Sequence, residues 1–210
     1  MSKKKTQNKK SFSLLEILFV VIILGIIATQ IIPKSQVSKL QLASDKIILY
    51  LNYTRYISHI DNKFDIEDVE WERKRWTLKF LNCKESVGGL YYNVYSDTYG
   101  DTAHIRKVDT LKDPLNSKYL YSNACSEDIV NDKSKHVLLT SEYGITNIDV
   151  SCNTTSTIGQ ISFGFDGKIY SQLGTNIKEI ENQCQIKLFN SKNQSVTIAV
   201  EPKTGYIHKI

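Results

Sequence analysis

The segment from Phe12 to Ile32 limits this chain more than any other part of it. It is apolar nearly throughout, and Glu16, five residues in, is its one ionisable group. At about 1.5 Å per residue such a run makes a helix of roughly 31 Å, the thickness of a bilayer's hydrocarbon core. A carboxylate near that depth is unfavourable, by up to roughly 2.5–3.5 kcal/mol at mid-bilayer. A plain membrane anchor or signal peptide has no use for one, so Glu16 demands a reason of its own. The run closes as "IIATQIIPKS", with no small-x-small cleavage site, and the sequence therefore predicts a retained helix.

Charge is distributed unevenly around this segment. Lys3, Lys4, Lys5, Lys9 and Lys10 precede it with no acid among them. Without those five, the 27 basic side chains fall to 22, level with the 22 acidic ones. The whole excess of +5 thus lies ahead of the apolar run. That predicts a cytoplasmic N-terminus with the rest of the chain exported, and it weakens any bulk electrostatic case for nucleic-acid binding. Cys83, Cys125, Cys152 and Cys184 all follow the span, an even number that reads as two disulfides in an exported domain. Three connectivities are open, with sequential pairing, Cys83–Cys125 and Cys152–Cys184, preferred.

Helical periodicity continues beyond Pro33. Val37, Leu40, Ala43, Ile47, Leu51, Thr54 and Ile57 recur at gaps of three and four, which predicts one long helix over about residues 12–60, kinked at Pro33. From Trp71 the pattern is β. "RWTLKFLNC", "GLYYNVYSD" and "HVLLTSEYGITNIDVSC" are strand-prone, with a turn at Gly144, and residues 97–135 read as loop. "GQISFGFDGKIYSQL" is a hairpin about Asp166-Gly167, and "CQIKLFNSKNQSVTIAVEPKTGYIHKI" gives two more strands and a short final one.

The basic leader, Ser11-Phe12, Glu16 and the apolar run together resemble the N-terminus of type IV pilins and pseudopilins. Gly25 and Pro33 also stand where that family has a glycine and a kinking proline. The resemblance implies cleavage between Ser11 and Phe12 by a prepilin peptidase, and N-methylation of Phe12. It gives Glu16, Gly25 and Pro33 roles in assembly. Where the family has glycine before the cut, this chain has Ser11. The closing strands resemble those of H-type minor pseudopilins and related minor pilins (the GspH/FimT family). The implied fold is α+β: a long N-terminal helix, its first half transmembrane, on a β-rich head of antiparallel sheets. The implied organisation is a leader at 1–11, a transmembrane and assembly helix at 12–33, its amphipathic continuation at 34–62, and a periplasmic head at 63–210. The protein would sit in the bacterial inner membrane as a single-pass subunit, partnered by other pilins and by the inner-membrane assembly platform. It would serve a short fibre for type II secretion or, alternatively, a pilus or DNA-uptake system whose head binds a ligand. In such a fibre the Glu16 carboxylate would pair with a neighbour's terminal amine, each offsetting the cost of burying the other.

No catalytic, cofactor or metal signature stands out. His59, His104, His136 and His208 lack metal spacing, and Asp97, Asp101 and Asp109 lack the EF-hand pattern. The acidic run Asp65–Glu72 reads as a solvated loop. Lys168, Lys178, Lys187 and Lys192, with Tyr170 and Phe189, read as solvated lysines and aromatics before they read as a DNA-binding face.

Overall fold

The computed structural model describes residues 13–31, 38–83, 89–98, 105–122, 131–154, 157–172 and 179–210. They belong to two units, Met1–Val37 and Ser38–Ile210. In the first, helix α1 runs over Leu14–Ile31. Ser13 starts it: its Oγ and its carbonyl oxygen both accept from the Glu16 amide, at 3.2 and 3.0 Å.

Two helices stand in place of the single long one expected over 12–60. The second, α2, covers Lys39–Ile60 and belongs to the other unit. Residues 32–37, and with them the kink expected at Pro33, lie outside the described residues. Among the described residues no helix is long and apolar enough to cross a membrane. The 18 residues of α1 rise only about 27 Å, short of the roughly 30 Å hydrocarbon core, and its first turn holds Glu16. The transmembrane first half and the single-pass inner-membrane placement are therefore overturned.

The second unit is α+β, with two four-stranded antiparallel sheets. Strands β1 (Trp76–Asn82), β2 (Leu90–Ser96), β4 (Gly159–Phe163) and β5 (Ile169–Tyr170) form one, in the order β2-β1-β4-β5. Strands β3 (Ile145–Val150), β6 (Cys184–Asn190), β7 (Ser195–Val200) and β8 (Ile207–Lys209) form the other, in the order β3-β6-β7-β8. Helix α2 packs on both, so one core serves the whole unit. Leu40, Ala43, Ile47, Leu51 and Thr54 of the expected apolar stripe are buried against Leu78, Phe80, Ile161, Ile186 and Ile198 of the sheets. The hydroxyl of Thr54 donates to the Tyr50 carbonyl at 2.6 Å, which satisfies a polar group on this buried face.

The sheets meet at Gly159, where β4 begins. Its φ of +136° is one that side chains rarely adopt, and an added Cβ would lie 2.8 Å from the Val150 Cβ. Part of the expected β stretch "HVLLTSEYG" is helical instead. A 3-10 turn at Lys135–Val137 leads into α3, Leu139–Tyr143, which Gly144 ends in the left-handed region at φ 70°. Residues 110–120, expected as loop, complete the edge of β2. The Val94 amide donates to the Leu120 carbonyl at 3.0 Å, and the Leu111 amide to the Val94 carbonyl at 2.9 Å.

Cys152 and Cys184 form the disulfide preferred from the sequence. Val150 opposes Ile186 in the β3–β6 ladder, so two residues on, Cys152 opposes Cys184 and the bridge staples neighbouring strands. Cys83 is also disulfide-bonded, and Cys125 lies outside the described residues. Changing both Cys152 and Cys184 to alanine is expected to destabilise the unit by about 3–4 kcal/mol, the entropy of a loop closed across 32 residues. Urea denaturation measures this, and an unchanged midpoint would refute it.

Candidate functional site

Of the residues singled out in the N-terminal segment, Glu16 and Gly25 lie in α1, whereas Ser11, Phe12 and Pro33 lie outside the described residues. From Leu14 to Ile26 the helix is apolar on every face, and its large side chains are between 49% and 84% exposed. Glu16 stands in the first turn, where its carboxylate favours the positive end of the helix dipole. Ser13 and Glu16 also fit the Ser-x-x-Glu pattern of a capping box, a local signal the sequence reading passed over. A Cβ at Gly25 would meet nothing within 4 Å, so no contact within α1 requires glycine there. The glycine leaves a flat place on an exposed apolar helix.

Helix α2 carries a second apolar stripe, on the side opposite its core. Leu42, Leu49, Tyr56 and Ile60 recur at gaps of seven and four and are 41%, 37%, 58% and 62% exposed. At 100° per residue they lie almost above one another, about half a turn from Ala43, Ile47 and Leu51. Most amphipathic helices put charge on this face, and here leucine, tyrosine and isoleucine interrupt it.

The densest polar chemistry in the second unit gathers on Asp113, whose side chain is fully buried. Its Oδ2 accepts from the Ser134 hydroxyl at 2.5 Å, the Tyr50 hydroxyl at 2.9 Å and His136 Nδ1 at 3.0 Å, and Oδ1 accepts from the Leu115 amide at 2.9 Å. Burial by itself would raise the carboxyl's pKa, but the hydrogen bonds from Ser134, Leu115, Tyr50 and His136 outweigh it and hold it below the usual range. Burial, with Asp113 alongside, pushes the Tyr50 hydroxyl well above its ordinary value, so it stays a donor. The Tyr92 hydroxyl then donates to the His136 carbonyl at 3.0 Å. Serine, histidine and aspartate are thus brought together, but in the wrong order for a nucleophile. The Ser134 hydroxyl is committed to Asp113, not to the His136 ring. The cluster locks α2, Asp113, Ser134, His136 and β2 together.

The remaining candidates are dispersed. The His59 ring meets the Phe165 carbonyl at 3.0 Å, His208 is near Glu201 at 4.0 Å, and His104 lies outside the described residues. Asp65 and Asp68 cap turns by accepting from the Glu67 and Glu70 amides, while Asp68 pairs with Lys74 and Asp109 with Arg106. Asp97 is buried, and Asp101 lies outside the described residues. Among the described residues no three His, Cys, Asp or Glu side chains gather to hold a metal ion. Lys168 pairs with Glu179 at 3.0 Å beside β5, whereas Lys187 covers Phe189 on the other sheet, and Lys178 lies outside the described residues. Those lysines do not make one face. No family model, curated protein or solved structure matches the chain.

Proposed function

We propose that this protein is a non-catalytic, fibre-forming subunit of the pilin and pseudopilin kind. One observation carries the reading: α1 exposes apolar side chains on every face and holds a single carboxylate in its first turn. Each such side chain is worth about 1.5–3 kcal/mol on full burial, so a surface of this kind calls for a cover. Helices of neighbouring subunits supply one, and the outward stripe of α2 offers them a further strip. Glu16 then pairs with the terminal amine that cleavage before Phe12 would create. Prepilin peptidase and the other pilins of the fibre are the partners this requires. The balance of 22 basic and 22 acidic side chains beyond residue 11 favours a type II secretion fibre over one whose head binds DNA.

The N-terminus of the protein purified from its own cells tests the reading. Mass spectrometry is expected to find a chain beginning at methylated Phe12, and Ser11→Trp is expected to leave the precursor uncut. A mature chain that keeps residues 1–11 would overturn the assignment.

A further inference from the structure

Two exposed surfaces of the second unit complement each other in charge and in apolar character. The first is the loop that joins α2 to β1, residues 61–75. Asp61, Asp68, Glu70 and Glu72 each face a cation of the same loop within 4 Å. Asp65 and Glu67 face none among the described residues, and Asp65 serves only to cap a turn by accepting from the Glu67 amide. Ile66 and Val69, set among these acids, are 85% and 90% exposed, and Phe64 at 49% packs on Trp71 and Phe165. Three apolar side chains within residues 64–69 make a patch that water solvates poorly, flanked by two carboxylates without cations.

The second surface lies toward the other edge of the same sheet. Phe165, on which the loop packs, sits in the turn between β4 and β5, and the order β2-β1-β4-β5 puts β2 at the opposite edge. Outside β2, backbone bridges join Lys112 to Tyr119 and Tyr119 to Lys133, so these three stand in a row with their side chains on one face. The Lys112 ammonium lies 5.3 Å from the centre of the Tyr119 ring, and that of Lys133 5.1 Å from the Tyr121 ring. The rings hold the ammonium groups in place but leave their charge unneutralised. Lys107 pairs with Asp132, whereas Lys112, Lys118, Lys133 and Lys135 have no carboxylate within 4 Å among the described residues. Val108 and Leu115, in the same stretch, are 77% and 55% exposed.

We propose that the acidic loop of one copy of this chain docks on the lysine row of the next. Asp65 and Glu67 would meet Lys112 and Lys133, while Ile66 and Val69 cover Val108 and Leu115. The two surfaces sit toward opposite edges of one sheet, so the contact is head-to-tail and leaves each copy a free surface from which a row of heads can grow. It deepens the fibre reading by giving the heads a contact of their own. It is also separable from that reading, because the heads can associate whichever residue begins the mature chain. Sedimentation velocity of the full-length protein in a nonionic detergent, which covers α1, tests the contact. The parent is expected to self-associate, and to do so less as salt rises from about 0.05 to about 0.5 M. Asp65→Lys with Glu67→Lys, and Lys112→Glu with Lys133→Glu, each set like charges against one another and should weaken association about tenfold or more. An equal mixture of the two reversed variants opposes unlike charges again and should restore it, which misfolded protein would not do. Ile66→Ser should weaken association at low and high salt alike. The proposal is overturned if the parent stays monomeric at low salt, if either reversed variant or Ile66→Ser associates as the parent does, or if the mixture stays dispersed.

Discussion

Replacing Asp113 by alanine is expected to destabilise the second unit by about 3–5 kcal/mol, the largest loss expected for any single side chain outside its apolar core. The carboxylate is the common acceptor of Tyr50, Ser134 and His136, and Tyr50 and Ser134 are themselves almost completely buried. Deleting it strands those donors where water does not reach, which costs more than the bonds contribute. Asp113→Asn separates charge from shape, since it keeps the volume and one acceptor oxygen. The pH dependence carries a definite sign. The folded carboxyl titrates below its ordinary range, so the unfolded chain binds the proton more readily. Its stabilisation is complete above the unfolded pKa of about 3.9 and is lost as pH falls through the lowered folded value. Urea midpoints of the parent should therefore fall below about pH 4, and those of Asp113→Asn should fall less. Equal acid limbs, or a loss below 1 kcal/mol for the alanine variant, would show that the cluster is incidental.

That cluster was not legible in the sequence, for a physical reason. Tyr50 and Asp113 are 63 residues apart and Tyr50 and His136 are 86 apart, and no local period links a helix residue to two loop residues. What was legible rests on short-range repetition. Leu40, Ala43, Ile47, Leu51 and Thr54 share a face because 3.6 residues make a turn, whatever they pack against. The Asp166-Gly167 turn was readable because Gly167, at φ 83°, takes a conformation that glycine tolerates. "HVLLTSEYG" was misread because strand propensity describes what packs well on a pleated surface, and here capping won. Gly144 closes α3 by donating to Thr140, and the Thr140 hydroxyl donates to the Ile145 carbonyl. The outward stripe of α2 did not stand out because Leu42, Leu49, Tyr56 and Ile60 recur mostly at gaps of seven, too sparsely to compete with the denser period of the buried face. Glu16 was noticed for its charge, while Ser13, which caps the helix three residues earlier, was not.

Glu16 therefore has two roles to tell apart, and glutamine separates them. As part of a helix cap the carboxylate is worth about 0.3–1 kcal/mol, no more than about fivefold, and a capping box accepts Gln nearly as well as Glu. As the partner of a neighbour's amine among packed apolar helices, its removal leaves a buried charge alone, about 3–5 kcal/mol or a hundredfold and more. In cells carrying the rest of the fibre machinery, Glu16→Ala and Glu16→Gln are both expected to cut incorporation into sheared fibres about a hundredfold. The melting temperature of Ser38–Ile210, a separate unit, should not change. If Glu16→Gln assembles as the parent does while Glu16→Ala loses only a few-fold, the cap is the whole role of Glu16. The apolar surface of α1 would then have to find its neighbours without a charge to set their register.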